Sequence, residues 1–91
     1  MPPSKELVEG LVDAGVRYLK RRLGHTELAG VEIKSSKINL FFRVREEKVV
    51  KVVINIRKNT IRVYSGAVSL DIGLKRVLQK VLECRGVTGG V

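Results

Sequence analysis

The sequence predicts an α+β two-layer sandwich with the order α-β-β-β-β-α. Three observations carry it. Apolar residues recur at helical spacing over residues 5–23 and again over 70–85, and the period changes to two between Val31 and Tyr64. Links within the period-two region are too short for crossovers, so its four strands form an antiparallel meander. Each helix has one apolar stripe and the sheet one aliphatic face, so both terminal helices stack on that face.

The first helix places Leu7, Val8, Leu11, Val12, Ala14, Tyr18, Leu19 and Leu23 on one arc, with Glu6, Glu9, Asp13, Arg17, Lys20 and Arg21 opposite. Ser4 suits its N-cap and Gly24 its C-terminal stop. Acids come first and bases last, the order that the helix dipole favours. In the sheet, Val31 and Ile33 alternate with Glu32 and Lys34. Ile38, Leu40, Phe42 and Val44 alternate with Asn39, Phe41, Arg43 and Arg45, and Glu46-Glu47-Lys48 breaks the pattern. Val50, Val52, Ile54 and Ile56 then alternate with Val49, Lys51, Val53, Asn55 and Arg57. Lys58-Asn59 suits a two-residue hairpin loop, because Asn tolerates positive φ, and Ile61 and Val63 oppose Thr60, Arg62 and Tyr64 in the last strand. The closing helix gathers Leu70, Leu74, Val77, Leu78, Val81, Leu82 and Cys84 on one arc. Ser69 or Asp71 caps its start and Gly86 its end.

A chain of 91 residues holds one domain, 1–91, with an ordered core over about 4–86 and a mobile tail from 87 to 91. The composition, 44% hydrophobic and 30% charged, is that of a folded protein. Lys and Arg number 18 against 9 Asp and Glu, and a net charge of +9 points to a polyanionic partner. One cysteine allows no internal disulfide, and no run of apolar residues approaches a membrane span. The start of the chain has no apolar core like that of a signal peptide, so a cytoplasmic protein is expected. The single Gln and single Met, with abundant Val, Lys, Arg and Glu, suggest a thermophile.

Stacking both helices on one sheet face leaves the other face bare. By alternation that face carries Lys34, Arg43, Arg45, Lys51, Arg57 and Arg62 against Glu32, with Phe41 and Tyr64 as outward aromatics. Cations bind phosphates and ring faces stack on unpaired bases, the combination that single-stranded RNA or DNA requires. Lys20-Arg21-Arg22, at the end of the first helix, forms a second basic cluster. Any half-solvated sheet is polar on its wet side, and so basic a chain yields this excess by chance roughly one time in four. Phe41, Val49 and Val53 are more specific, because an apolar cluster facing water implies that something covers it. That cover is a base stack or, in the alternative, the same face of a second subunit or of another protein.

The order of a helix, an antiparallel meander and a closing helix resembles the double-stranded-RNA-binding domain, the Alu-binding pair of the signal recognition particle, and some small ribosomal proteins. Those sheets have three strands where four are counted here. No motif of these families stands at a matching position, so no functional residue is carried over, and the resemblance adds weight only to RNA as a class.

Other residues offer little chemistry. His25, the sole histidine, follows the helix stop with no Cys or carboxylate cluster at metal-ligand spacing. Cys84 reads as a small core residue rather than a reactive thiol. Adjacent Glu46 and Glu47 point apart and make no acid/base dyad. Gly86 to Gly90 lacks the Lys-Ser/Thr step of a phosphate-binding loop, and the acidic first half of helix 1 opposes docking on an anionic membrane. The expectation is a non-catalytic nucleic-acid-binding protein, without metal or cofactor. It favours RNA over DNA and acts alone, as a homodimer or within a ribonucleoprotein.

Overall fold

Ser4 and Gly24 bracket the first helix as their chemistry requires. The computed structural model describes the backbone of residues 4–90 and the side chains of residues 4–45 and 47–83. Helix α1 spans Lys5–Leu23; the Ser4 hydroxyl accepts the Leu7 N–H at 3.1 Å, and Gly24, at φ +88°, donates its N–H to the Lys20 carbonyl at 2.9 Å. The sheet follows as β1 (Glu27–Lys34), β2 (Lys37–Arg43), β3 (Val49–Asn55) and β4 (Thr60–Tyr64), with a 3-10 turn at Arg45–Glu47. Helix α2, Val68–Gly90, closes the chain. Strands lie in the order β1-β2-β3-β4 and every neighbouring pair is antiparallel, so the predicted α-β-β-β-β-α sandwich is the observed one.

One core joins both helices to one sheet face. Leu7, Leu11 and Leu19 from α1 and Leu70, Leu74, Leu78 and Leu82 from α2 close over Ile38, Leu40, Phe42, Val50, Val52, Ile54 and Ile61. Val44 leaves β2 and still points into the core. Gly15 sits above Phe42, where a Cβ would come within 2.6 Å of the ring's Cζ. The missing side chain at Gly15 therefore lets α1 settle onto the largest core residue. At the helix crossing, a Cβ on Gly73 would overlap the Tyr18 hydroxyl, so α2 makes room for a tyrosine of α1.

Several boundaries differ from those that periodicity predicts. Strand β1 begins at Glu27 rather than Val31, because a bulge between Leu28 and Gly30 hides the alternation. Strand β3 stops at Asn55, whose Oδ1 accepts the Lys58 N–H at 3.0 Å and turns the chain. The β3–β4 link is thus four residues, 56–59, and not the two of Lys58-Asn59, although Asn59 does take positive φ (56°). Helix α2 starts two residues before the expected Leu70 and runs past Gly86 to Gly90. Of the two cap candidates, Asp71 anchors this start by accepting hydrogen bonds from the N–H and hydroxyl of Ser65. The expectations for the Cys84 side chain and for the Glu46 carboxylate lie outside the described residues, and the tail expected over 87–91 is helical backbone as far as Gly90.

The helices do not cover the whole sheet. Leu28, Val31 and Ile33 pair with Phe42, Leu40 and Ile38, which places them on the core side of β1. They remain 40%, 37% and 46% exposed. The aliphatic face is continuous across four strands, but only three of them are roofed.

Candidate nucleic-acid interface

Strand register sets the outer face in rows that cross the sheet. Pairing runs Gly30–Phe41–Lys51–Tyr64 across β1 to β4, and Glu32–Asn39–Val53–Arg62 beside it. A third row, Lys34–Lys37–Asn55–Thr60, lies at the end nearest the Ser35-Ser36 turn, and Glu27–Arg43–Val49 lies at the other. Directly opposed residues on neighbouring strands share a face, so all of these point away from the helices.

In the first of these rows, Lys51 stands between the two outward aromatics. Phe41 is half-buried, and a Cβ at Gly30 would lie 3.6 Å from its Cδ2; the ring therefore rests beside bare backbone of β1. Tyr64 is 51% exposed and Val49 50%, while Val53, two residues beyond Lys51 on β3, is half-buried. The cluster Phe41, Val49 and Val53 thus faces outward, as alternation predicts.

Six of the expected sheet-face residues, Lys34, Phe41, Arg43, Lys51, Arg62 and Tyr64, meet on this surface. Two do not. Arg45 lies in the 3-10 turn after β2, and its Cδ would stand 3.8 Å from a Cβ on Gly24, so it reaches to the end of α1. Arg57 lies in the four-residue turn, because the backbone leaves the sheet at Asn55. The structure adds Lys37, the first residue of β2, which pairs directly with Lys34. A two-residue Ser35-Ser36 link between paired strands was the signal that could have found it.

Charge on the face is uneven. Arg43 is held by Glu27 at 3.5 Å, and His25 Nε2 lies 4.0 Å from the same carboxylate. His25 and Arg43 thus share one exposed carboxylate, and among the described residues no three His, Cys, Asp or Glu come together. Lys20, Arg21 and Arg22 form the last turn of α1 with exposed side chains, and the Arg22 guanidinium sits over the Tyr18 ring at 5.8 Å. With Arg45 beside Gly24, the basic cluster at the end of α1 has four cations and lies at the sheet end that carries Arg43.

No helix among the described residues is long and apolar enough to cross a membrane. Comparison with protein families, with curated proteins and with solved structures gives no match.

Proposed function

We propose that the outer sheet face binds single-stranded nucleic acid, RNA in preference to DNA, without catalysis. One observation carries the reading: Phe41, Lys51 and Tyr64 stand in a single row across three neighbouring strands. Strand spacing separates the two aromatics by about 10 Å, with a cation midway. A strand laid across the sheet can stack bases on both rings while its backbone meets Lys51 and the neighbouring Arg62, Lys34 and Lys37. Ring faces accept any base, and cations accept any phosphate, so this arrangement favours unpaired strands with little sequence preference. The cluster of Lys20, Arg21, Arg22 and Arg45 extends the electrostatic path beyond the sheet. On this reading the protein acts in the cytoplasm, alone or within a larger ribonucleoprotein.

Fluorescence anisotropy with a labelled single-stranded RNA, its DNA equivalent and a blunt RNA duplex tests the proposal. The single strands bind more tightly than the duplex, and RNA more tightly than DNA. A duplex that binds equally well or better would overturn the stacking mechanism.

A further inference from the structure

Strand β1 is an edge of the sheet: it pairs with β2 on one side and, among the described residues, has no strand on the other. Every residue in it except half-buried Gly30 is exposed. Edges of this length are commonly shielded by proline, inward-pointing charge or a covering segment. Among the described residues β1 has none of these three; its protection is limited to one bulge near its start, between Leu28 and Gly30, and to charges on the outer face, while its inner side carries Leu28, Val31 and Ile33 beside Val8, Val12 and Val16 of α1.

We infer that two copies pair antiparallel through β1, across a two-fold axis passing beside Val31. The register follows from matching the strand to itself. With Val31 opposite its symmetry mate, Glu32 falls opposite Gly30 of the other copy. The bulge between Leu28 and Gly30, which β2 already accommodates, then brings Leu28 opposite Ile33 and Glu27 opposite Lys34. Apolar residues meet apolar residues on the inner side, and opposite charges meet twice on the outer side. Lys34 gains most from this, because within one copy its cross-strand neighbour is the like-charged Lys37. The registers on the C-terminal side of Val31 do worse. Moving the axis to Glu32 opposes two carboxylates, and moving it to Ile33 shortens the overlap to the last residues of the strand. A two-fold pairing also closes the assembly, whereas β1 against β4 of another copy would leave an open chain of subunits.

The product is one eight-stranded sheet with both pairs of helices on the same side. Its outer face carries two Phe41–Lys51–Tyr64 rows flanking a seam at Gly30 and Glu32. This inference stands apart from nucleic-acid binding and is tested without it.

Sedimentation velocity on protein freed of nucleic acid, across a concentration series, reads the association directly. Wild type sediments as a dimer. Ile33→Lys, at a position already exposed in one copy, sediments as a folded monomer by circular dichroism. Lys34→Glu weakens the dimer by about tenfold, since two attractive pairs become repulsive, and adding Glu27→Lys restores it. A wild type that stays monomeric throughout overturns the inference, and leaves the RNA titration to be judged separately. A dimer that Ile33→Lys leaves intact but Val53→Lys dissociates also overturns it, and assigns self-association to the outer face instead. A dimer broken by Lys34→Glu and not recovered in the double variant rejects the register.

Discussion

Replacing Phe41 with Ala separates base stacking from charge attraction, because the ring contributes less to the fold than a core Phe and nothing to phosphate contacts. Phe41 lies on the outer face beside Gly30, so its removal leaves an indentation open to water rather than a sealed void. Roughly 80 Å² of sheltered ring at about 25 cal/mol per Å² amounts to about 2 kcal/mol of folding stability. Phe42, one residue on, is fully buried under Gly15, and its replacement adds a cavity term for a total of ~3–5 kcal/mol. Chemical denaturation therefore ranks Phe42→Ala well below Phe41→Ala in stability. Under conditions where Phe41→Ala is folded, anisotropy with single-stranded RNA shows affinity reduced by ~1–3 kcal/mol, with the salt slope unchanged. Unchanged affinity in a folded Phe41→Ala protein would refute stacking and leave charge alone.

The salt dependence follows from the cations on the face. With Lys34, Lys37, Arg43, Lys51 and Arg62 on phosphates, log K falls against log salt with slope about −3.5, roughly a hundredfold between 50 and 200 mM. Arg62→Ala makes that slope shallower by about 0.7, whereas Arg57→Ala, in the turn, leaves it unaltered; equal effects would remove the sheet-face assignment. Gly15→Ala raises helix propensity by ~1 kcal/mol but drives a methyl into Phe42 at an overpacking cost of ~1–3 kcal/mol, and a thermal melt shows net loss. Gly73→Ala is milder in the same melt, because the Tyr18 hydroxyl end can swing aside. Ser4→Ala removes the cap of α1 and costs ~1 kcal/mol in a denaturant titration.

Local chemistry made some elements legible and tertiary placement hid others. Helix α1 was readable to the residue because Ser4 and Gly24 mark its ends chemically, not just by hydropathy. Strands β2 and β3 were readable because alternation is unbroken along Ile38–Phe42 and Val50–Ile54. The extra residue at Ala29 masked the start of β1, and with it Glu27 and Leu28. Alternation alone places Arg57 on the sheet, because Ile56 continues the apolar rhythm after the Asn55 side chain has turned the backbone. Arg45 failed for a related reason, since Val44 keeps pointing inward beyond the last pair of β2. Val31 and Ile33 resemble Val50 and Val52 in pattern, and only the position of the helices decides which pair is roofed. The aromatic row needed the register of three strands at once, which no single segment displays.

Connectivity has a consequence for how the chain acquires its shape during synthesis. Each strand pairs with the next in sequence, so the sheet can assemble from successive hairpins without distant segments meeting. The contact of Tyr18 with Gly73 is different, because it joins the first helix to the last across the whole meander. Emerging from the ribosome first, α1 must wait for α2 with its apolar stripe only partly sheltered. The α1–α2 crossing is the final latch, and a chain interrupted before residue 68 would expose both the helix stripe and the inner face of β4.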